Sequence, residues 1–494
     1  MAVAPLGFEE TLAEELRFIG VECAASDSGL NSTANTSSEN CAAGIKVAGD
    51  GKVEFTAKIT EAWKAVACSR IANRVLMEIG SFKAENFGQL EKGAAGVPWE
   101  LYLPCVILEA QSADRIQSFL NIHVTCKHSR LYHSEAVEER VRKVISSQSY
   151  CEKCSDDAAE AEKNSVPQHL YVTLVDDRCT LWLDLAGEEL YKRGHERFVA
   201  EAPLKETIAA AMIFEACRLQ VPGSRLQASG DNTASATPQS ERSEQPRTSS
   251  LEPRTFIDPM AGSGTFSLEA AYIANGLIPG KCRDFALKHQ PAFKEGTWNF
   301  ILKGSSNVIA SEAKQSKQSS PTLKIITSDI SERPVSIIKH NVECSPLAEI
   351  AKTNPNAVII NPQLKDFFSY TIDDISAVQP SANDTARDIV ILLNPPYGKR
   401  LAFDAPALYK KIGQKLDQLS REAQARNNNS QSRDIALTVA ILVPKDDTRG
   451  GAHYTCTENL LKACPALNPS NNPEAKLIET SHGGFSLNAI FAKI

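Results

Sequence analysis

Ile389-Val390-Ile391-Leu392-Leu393-Asn394-Pro395-Pro396-Tyr397 joins an apolar run to two prolines and an aromatic residue, and it gives the clearest indication of the fold class. Its five apolar residues predict a buried strand. Two consecutive prolines end that strand, because proline lacks a backbone donor and restricts the residue before it. An amide side chain and an aromatic ring therefore follow the carboxyl end of a strand, where open α/β sheets bind their ligands. Such a set suits a flat molecule with an amino group, since it offers acceptors for N–H bonds and a ring for stacking.

The composition surrounding this stretch is that of an ordinary globular chain. Its 494 residues are too many for one core, so we expect two or three domains. The formal net charge of −7 gives no global attraction to nucleic acid, so any such contact must use a local basic patch. Cys151 and Cys154 form the one close cysteine pair with metal-like spacing, without a second such pair, so we predict no metal site.

Targeting signals are not evident in the sequence. The segment 1–20 carries several glutamates and no basic region, so it does not resemble a signal peptide. No apolar run is long enough to span a bilayer. Scattered cysteines are typical of reduced thiols, and we therefore predict a cytoplasmic protein without a membrane partner.

Four polar segments divide the chain. They are rich in Ser, Thr, Asn, Gln and charge, and such composition buries too little apolar surface to offset the entropy of ordering. We predict flexible or disordered loops at Ser26–Cys41, Pro222–Pro253, Gly304–Ser320 and Gln424–Arg433.

The first half of the chain has the pattern of an α+β region, with short strands mixed among amphipathic helices. Asp176-Asp177-Arg178 separates two of the strands and predicts a hairpin. We predict helices at Gly7–Ile19, Trp63–Ile79 and His133–Ile145, and strands at Gln117–Val124, Leu170–Val175 and Thr180–Leu185.

The second half alternates strands with helices, which predicts a doubly wound, mostly parallel, Rossmann-like sheet. The predicted strands are Thr255–Ile257, Leu323–Thr327, Ala357–Ile360, Ile389–Leu393 and Ile435–Val443. The predicted helices are Leu204–Leu219, Phe266–Asn275, Pro334–Val342 and Leu408–Leu419.

A glycine-rich turn, Asp258-Pro-Met-Ala-Gly-Ser-Gly-Thr265, joins the first of these strands to a helix. Glycine lets the backbone approach a ligand, and the helix start offers free N–H groups. Ser267 stands where a dinucleotide fingerprint would have its third glycine, so the turn suits S-adenosylmethionine better than a pyrophosphate. The predicted cofactor contacts are Asp258, which would face a cationic ligand, and Ala261, Gly262, Ser263, Gly264 and Thr265.

Two further acidic residues follow the next predicted strands. Asp329 is predicted to bind the ribose hydroxyls, with a helix N-cap as the alternative role. Asp366 is predicted to lie near the adenine amine, with a surface turn as its alternative.

The Asn394–Tyr397 element predicts amino-group methylation. A base amine is a poor nucleophile because its lone pair is delocalised into the ring. Hydrogen bonds to the Asn394 side-chain oxygen and the Pro395 carbonyl would favour a pyramidal nitrogen, while Tyr397 would stack on a base flipped out of its helix. Positioning would supply most of the rate. We predict Asn394, Pro395, Pro396 and Tyr397 as the catalytic residues; the structural alternative is a plain proline-rich turn.

With these residues the chain resembles the THUMP-domain, class I S-adenosylmethionine-dependent guanine-N2-methyltransferases of 23S ribosomal RNA. Asp258–Thr265 and Leu393–Leu401 look like motifs I and IV of that class, and Val124–His133 resembles the end of a THUMP domain. The resemblance covers nearly the whole chain outside the polar segments. It implies a ferredoxin-like region at 1–60, a THUMP domain at 61–150, a hairpin and linker at 151–201, and a methyltransferase domain at 202–494 with a disordered insertion at 222–253.

The resemblance also implies an RNA-binding surface and a partner, 23S ribosomal RNA or a pre-50S particle. From charge alone, the basic residues of 122–144 would be a solvated helix face. A THUMP module would instead place them on phosphates, which position RNA without reading its sequence. The predicted contacts are Lys127, Arg130, Arg140, Arg142, Lys143, Arg193, Arg197, Lys399 and Arg400.

Other activities use the same kind of pocket. Asn-Pro-Pro-Tyr also serves DNA adenine-N6 and protein glutamine-N5 methyltransferases, which lack a THUMP-like module. The sequence distinguishes a transfer-RNA guanine-N2-methyltransferase only poorly from an enzyme that acts on 23S ribosomal RNA. A ribosome-assembly protein with a vestigial cofactor fold is the non-enzymatic alternative.

Overall fold

The computed structural model describes residues 1–23, 44–104, 107, 119–147, 166–200, 203–219, 254–304, 323–376, 386–397, 404–429, 434–446 and 455–494. The described residues form two compact units. The first comprises Met1–His195 and Ile278–Val308, and the second comprises Glu196–Leu277 and Ile309–Ile494. The segment 278–308, which the sequence assigns to the second domain, thus belongs to the first unit.

The first unit is built on a seven-stranded mixed sheet in the order β2-β3-β1-β4-β7-β6-β5. The strands are β1 (Ala2–Val3), β2 (Ile45–Gly49), β3 (Lys52–Phe55), β4 (Arg74–Lys83), β5 (Leu120–Lys127), β6 (Gln168–Val175) and β7 (Arg178–Asp184). The helices are α1 (Glu9–Phe18), α2 (Ile59–Cys68), α3 (Phe87–Ala95) and α4 (Ser134–Ser147), with a further helical stretch at 295–304 and short 3-10 turns at Trp99–Leu101 and Ala286–His289.

Alternating burial along β6 and β7 shows that one face of this sheet packs on a core and the other does not. Ile122, Leu170, Val172 and Leu181 belong to the core under that face, together with residues of α3 and α4. The predicted hairpin is confirmed, since β6 and β7 pair antiparallel across Asp176 and Asp177, whose φ angles are 49° and 62°. The same two strands pair with β5 and β4, so the hairpin is part of the sheet.

The prediction of one helix over Trp63–Ile79 is wrong beyond Cys68. The buried carboxylate of Glu15 accepts hydrogen bonds from the Ser69 hydroxyl (2.5 Å) and from the backbone N–H groups of Arg70 (2.8 Å) and Ile71 (3.2 Å). These bonds hold 69–71 in a turn after the helix, and the chain continues as β4 from Arg74.

The second unit contains a seven-stranded sheet in the order β10-β9-β8-β11-β12-β14-β13. Its strands are β8 (Arg254–Asp258), β9 (Lys324–Asp329), β10 (Gln363–Leu364), β11 (Ala386–Leu393), β12 (Asp434–Pro444), β13 (Lys476–His482) and β14 (Phe485–Lys493). Strands β8 to β12 are parallel, and β14 enters antiparallel between β12 and β13. This is the doubly wound, Rossmann-like sheet that the sequence predicts.

Helices cover this sheet, and its central strands are buried on both sides. Ile389–Leu393 are each at most 1% exposed, which explains why β11 is apolar without alternation. The helices are α5 (Glu206–Arg218), α6 (Thr265–Ala274), α7 (Glu332–Glu343), α8 (Pro346–Thr353), α9 (Ile372–Ser376), α10 (Ala405–Asn429) and α11 (Cys456–Ala463), with 3-10 turns at Phe367–Ser369 and Pro465–Leu467. Among the helices of the described chain, none is both long and apolar enough to cross a bilayer.

Two predictions for this unit are wrong. No strand forms at 357–360, because the Asn275 side chain takes both backbone groups of Val358 (3.0 and 3.1 Å) and a short β10 forms later. The predicted loop at 424–433 is helical as far as Asn429, where the Asn427 side chain binds the backbone of Ile435 (2.8 and 3.0 Å). The other predicted loops and the Cys151/Cys154 pair lie largely or wholly outside the described residues.

Candidate active site

The predicted site residues of the second unit meet at one edge of its sheet. Because β8, β9, β10 and β11 are parallel neighbours, their carboxyl ends lie side by side. Asp258 and Asp329 are the last residues of β8 and β9, and Asn394 directly follows β11. Asp366 comes two residues after β10. The strand order thus brings the four polar groups to a common edge, where open α/β sheets bind ligands.

The glycine turn between β8 and α6 is fixed by backbone hydrogen bonds. The Ala261 N–H donates to the Ser328 carbonyl (3.0 Å), and the Gly264 N–H donates to the Ala261 carbonyl (2.7 Å). Gly262 and Gly264 both have positive φ angles, 53° and 78°. A Cβ atom at Gly264 would lie 2.9 Å from Ile338, whereas a Cβ atom at Gly262 would meet nothing within 4 Å. Gly264 is therefore needed for packing, and Gly262 faces open space.

Asp329 links the turn to β9. One carboxylate oxygen accepts from the Gly262 N–H and the other from the Ser331 N–H, both at 3.0 Å. The bond to Ser331 is the local turn contact expected of the N-cap alternative, whereas the bond to Gly262 places the carboxylate on the cofactor turn. The next residue, Ile330, is 70% exposed, so a large apolar side chain lies uncovered beside this carboxylate.

Asp258 lies beneath the turn with its carboxylate bound to Ser267, and its predicted role beside a cationic ligand stays a prediction. Its carboxylate is 1% exposed and accepts from the Ser267 hydroxyl (2.7 Å) and backbone N–H (3.2 Å). Ser267 also contacts the Thr327 hydroxyl at 2.7 Å. Burial raises the pKa of Asp258 to about 7, and the nearby charge of Asp329 acts in the same direction. Asp258 therefore supports the turn from below.

Asp366 caps the 3-10 turn that follows β10. Its carboxylate accepts from the Phe368 N–H at 3.0 Å, so its contacts match the alternative role as a turn residue. Leu364, which pairs with Asp329 in the sheet, is 56% exposed. Ile330 and Leu364 thus leave an apolar surface between the two carboxylates.

Asn394 is the most informative residue of the site. Its side-chain oxygen is buried and has no hydrogen-bond partner among the residues that the structure describes. Buried polar atoms are nearly always paired, so such an atom needs an explanation. The following Pro395 carbonyl lies 3.5 Å from the Tyr409 hydroxyl, which is also 3.3 Å from the Leu442 carbonyl. A carbonyl with one long contact keeps a lone pair for a second donor.

Tyr397 is held by the hairpin β13–β14. Its hydroxyl lies 3.0 Å from His482 Nδ1, and its ring meets Phe485 edge-on at 6.0 Å. Burial raises the pKa of the Tyr397 hydroxyl to about 12 and lowers the pKa of His482, which Lys205 lowers further. The neutral imidazole and the protonated tyrosine therefore share one hydrogen bond, in which the imidazole tautomer decides which group donates. Tyr397 is 8% exposed, so its side chain lies in the wall of the site.

Three arginines predicted to contact phosphates instead bind groups within the protein, so they no longer belong to the predicted RNA contacts. Arg142 is 7% exposed and donates to the Leu120 carbonyl and to Glu138. Arg193 is 6% exposed and donates to the backbone carbonyls of Leu190 and Arg70. Arg197 pairs with Glu206 and binds the hydroxyls of Ser263 and Thr265, so it braces the cofactor turn.

The other predicted RNA contacts differ in exposure. Lys127 and Lys143 are exposed. Arg130 has a side-chain exposure of 68% and lies 3.5 and 3.6 Å from Glu85 and Asp177. Arg140 is paired with Glu91 at 2.6 Å and lies over the Phe87 ring. Lys399 and Arg400 fall outside the described residues.

Sequence reasoning missed several supporting residues. Ser267 was noted only as a missing glycine, yet it holds Asp258. His482 lies 85 residues after Tyr397, and only the hairpin brings the two together. Ile330 had a local signal, because a large apolar residue directly follows the predicted ribose-binding carboxylate.

These features fit a nucleoside cofactor carrying an amino acid. Open space above Gly262 leaves room for the cofactor, and the start of α6 offers backbone donors. Asp329 offers carboxylate oxygens for hydroxyls, and exposed Ile330 offers an apolar surface for a base. The Asn394 side-chain oxygen, which has no partner in the described chain, suits a second ligand that carries an N–H group. The fold and the edge site together define a class I, S-adenosylmethionine-dependent type of methyltransferase domain.

Comparisons with known proteins agree with this class. The family described as "RMKL-like, methyltransferase domain" matches residues 247–438. "Putative RNA methyltransferase YpsC" of Bacillus subtilis (strain 168) is 25% identical over 425 residues, covering 85% of this chain and 84% of the relative. "Ribosomal RNA large subunit methyltransferase K/L" of Syntrophotalea carbinolica is 26% identical, covering 84% of this chain and 47% of the relative. The chain thus spans less than half of that longer protein.

Solved structures share the fold over the whole chain. The crystal structure of SMU.472 complexed with SAH has a TM-score of 0.59 at 20% identity and covers 99% of this chain and 96% of that one. A "predicted N6-adenine-specific DNA methylase" from Listeria monocytogenes has a TM-score of 0.60 at 20% identity, with 99% and 94% covered. These likenesses concern the fold alone.

Proposed function

We propose that the protein is an RNA methyltransferase that transfers a methyl group from S-adenosylmethionine to the N2 amine of a guanosine in 23S ribosomal RNA. The observation that carries the proposal is the buried Asn394 oxygen, which lacks a partner within the described chain. An unsatisfied buried acceptor costs about 1–3 kcal/mol, so a fold that keeps one at a strand end favours a ligand with an N–H donor.

The chemistry follows from the positions of Asn394 and Pro395. The guanine N2 amine carries two N–H groups, and the Asn394 oxygen and Pro395 carbonyl supply two acceptors on adjacent residues. Bonds to both would turn the nitrogen lone pair away from the base ring and toward the methyl donor. The proton released after transfer would leave through these acceptors to water. Orientation alone lowers the barrier substantially, so the site needs no ionised base.

Residues of the neighbouring strand ends support cofactor binding. S-adenosylmethionine, when bound, supplies a methyl group on a positively charged sulfur. Asp329 would accept from the ribose hydroxyls, exchanging its bond with Gly262. Ile330 and Leu364 would pack against the adenine faces, and Asp366, which follows the next strand along the edge, would accept from the adenine amine. Buried Asp258 would place a carboxylate beneath the cationic sulfur.

RNA as the substrate is supported by the names of the relatives. YpsC is described as an RNA methyltransferase, and the K/L proteins are described as methyltransferases of the ribosomal large subunit. We go further than those names and propose guanine as the base, 23S RNA as the target and a pre-50S particle as the partner. Acting on such a substrate, the protein would work in the cytoplasm.

The test is to identify the methylated nucleoside. The full chain is incubated with radiolabelled S-adenosylmethionine and, in separate reactions, unmodified 23S transcript, 16S transcript and transfer RNA. Each RNA is digested and its labelled nucleosides are separated. We expect N2-methylguanosine from 23S RNA. Label confined to transfer RNA, or found in methyladenosine, would overturn the assignment.

A pair of variants ties the label to the site. Asn394→Ala should abolish transfer while leaving cofactor affinity nearly unchanged, because it removes only the acceptor. Asn356→Ala, on an exposed residue remote from the strand ends, is the matched control and should behave as the parent chain does. Equal loss of transfer and of cofactor affinity in Asn394→Ala would mean that Asn394 does not hold the amine.

A further inference from the structure

Two histidines form a flat pair on the face of the first sheet that lies opposite its core. His123 on β5 and His169 on β6 are joined by a hydrogen bond of 2.9 Å between Nε2 and Nδ1. Their ring centroids are 5.2 Å apart and their planes differ by 7°. Because the two facing nitrogens are only 2.9 Å apart while the ring centroids are 5.2 Å apart, the two imidazole rings must lie side by side in one plane. The pair therefore presents a continuous flat surface comparable in width to a purine.

A column of packed groups holds the pair from one side. The Tyr171 ring stacks on His123 with centroids 4.7 Å apart and planes 21° apart. The Arg74 guanidinium lies over the Tyr171 ring at 5.6 Å and is itself anchored by buried Asp184. The orientation of the imidazole pair is thus set by the fold and does not depend on a bound ligand.

The remaining side of the pair is open. His123 is exposed even though Tyr171 covers one of its faces, and His169 is half-buried. Side chains alternate along a strand, so His123 points away from the core residue Ile122. The open surface is therefore a fixed aromatic plane in contact with solvent, and nothing in the site of the second unit uses it.

Exposed cations lie farther along the same face. Lys127 is four residues after His123 on β5, so it shares the face at about 13 Å. Lys127 pairs with Val175, and Val175 pairs with Arg178 on β7, which places both exposed cations at one end of the three strands. That spacing corresponds to about two nucleotides of an extended RNA strand.

The acidic groups beside the pair are already paired. Glu138 is bound to Arg142 at 2.7 Å, and Glu188 is bound to Lys192 at 3.0 Å. The acidic residue Glu78 lies on β4, opposite Trp182 and on the far side of Tyr171 from His123. Strands β5 and β6 carry Lys127 and no acidic residue, while the turn after β6 adds exposed Asp176 and also Asp177, which lies 3.6 Å from Arg130.

We propose that the His123–His169 pair is a stacking platform for one unpaired base of the RNA substrate, with Lys127 and Arg178 holding phosphates of the same strand. The proposal rests on the proposed function in that it takes RNA as the substrate. The stacked base would contact the first unit and would be a different base from the one whose amine is bound at Asn394.

The imidazoles act as neutral rings. Burial, followed by the charge of Arg74, lowers the pKa of His123, and the same causes lower the pKa of His169 to about 4. A neutral pair can share the N–H···N bond, whereas two imidazolium groups would repel one another. Binding to the platform is therefore stacking, which is tolerant of base identity and of salt, while the cations supply the salt-dependent part.

The experiment measures stacking directly in the full chain. A single-stranded 12-mer RNA carries one 2-aminopurine, whose fluorescence is quenched on stacking, and the same RNA annealed to its complement is the duplex probe. We expect the parent chain to quench and bind the single strand and to bind the duplex less tightly. The double variant His123→Ala/His169→Ala should lose the quench and about tenfold in affinity.

Two variants make the outcome decisive. His123→Phe keeps a stacking face and should retain most of the quench. Thr125→Ala, two residues along β5 on the same face, is the matched control and should change neither quench nor affinity. An unchanged quench in the double variant, with thermal unfolding like that of the parent, would overturn the platform.

Methyl transfer measured on the same proteins separates the two proposals. If the chain binds and quenches the single strand but labels no RNA, the platform stands and the proposed function fails. If it labels 23S RNA and the double variant binds and labels it as the parent does, the proposed function stands and the platform fails.

Discussion

The two sheets of this protein have the same number of strands and offer ligands different places. Along β6 and β7 the mixed sheet of the first unit buries one face, so the other face there carries an ordered array of polar and aromatic side chains. The parallel sheet of the second unit is buried on both faces, so its polar groups are confined to the ends of its strands. One sheet thus offers a face and the other an edge, which would let a single chain hold the proposed RNA substrate on the face and a small cofactor at the edge.

The buried carboxylates of the two sheets show the same contrast. Asp184 in the first sheet pairs with Arg74, and its pKa is raised by burial to about 6. Burial raises the pKa of Asp258 in the second sheet to about 7. Ser267 and Asp329 also act on this pKa, and neither of them is a cation. The first carboxylate has its counter-ion built in, whereas the second lies where a cationic cofactor would supply one.

The largest expected effect comes from neutralising Asp258. Because its folded pKa lies above the ordinary value of 3.8, the stability it contributes is complete below pH 4 and is lost as the pH rises through about 7. The free energy of unfolding of Asp258→Asn, minus that of the parent, should therefore rise between pH 4 and pH 8, by up to about 4 kcal/mol. Urea denaturation across this pH range measures the difference.

Asp184→Asn is the comparison for that test. It leaves Arg74 without its carboxylate, so it should destabilise the first unit. Because the pKa of Asp184 is raised only to about 6, the pH-dependent part of this difference should be smaller and should end near pH 6 instead of near pH 7. A pH-independent difference for Asp258→Asn would show that Asp258 is ionised in the fold throughout this range, and the contrast between the sheets would disappear.

The two glycines of the turn should differ in their effect on stability. Gly264→Ala meets both a left-handed φ and a contact of 2.9 Å with Ile338, so we expect a loss of about 3 kcal/mol. Gly262→Ala meets only the backbone cost, about 1 kcal/mol, and should weaken cofactor binding instead. Denaturation midpoints and calorimetric titration with S-adenosylhomocysteine measure the two effects. If Ile338→Ala fails to recover part of the Gly264→Ala loss, the packing explanation is wrong.

Asp329→Ala should lower cofactor affinity at the edge site. Hydrogen bonds to a charged group contribute about 1.5–3 kcal/mol, which corresponds to a loss of about tenfold or more. Asp434→Ala, at the amino end of parallel β12, is the matched control at the opposite edge and should leave affinity unchanged. Titration calorimetry with S-adenosylhomocysteine gives both values, and equal effects would place the cofactor elsewhere.

The smallest effect is expected on the face of the first sheet. Lys127→Gln should reduce the slope of log affinity for RNA against log salt by about 1, while cofactor affinity stays constant. Lys352→Gln, on an exposed lysine of α8, is the control and should keep the parent slope. Fluorescence anisotropy at several salt concentrations measures both. An unchanged slope for Lys127→Gln would remove this face from the RNA-binding surface.

Much of the second unit could be predicted because its signals are local. An apolar run ended by Pro395 defines a strand end, and Gly262 and Gly264 define a strand-to-helix turn within eight residues. The mistake at 357–360 arose because an apolar stretch cannot show that Asn275 will take its backbone groups. Strand formation there depended on a partner more than 80 residues away.

The first unit was harder to predict because charge does not reveal side-chain direction. Arg142 is adjacent to the buried positions Val141 and Ile145 of α4, and it turns inward to the Leu120 carbonyl. The His123–His169 pair depends on the register of two parallel strands whose histidines are 46 residues apart. No sequence pattern specifies that register, so the aromatic plane appears only in the structure.

The direction of the strands in the second unit also has a practical consequence for protein engineering. The long polar stretches 220–253 and 305–322 join the sheet just before β8 and β9, at the amino ends of those parallel strands. Strands of five or six residues separate these junctions from the glycine turn and Asp329 by about 15–20 Å. A fluorophore attached at Lys324, the exposed first residue of β9, would therefore lie about 15–20 Å from Asp329 and would report on the domain from the edge opposite the cofactor residues.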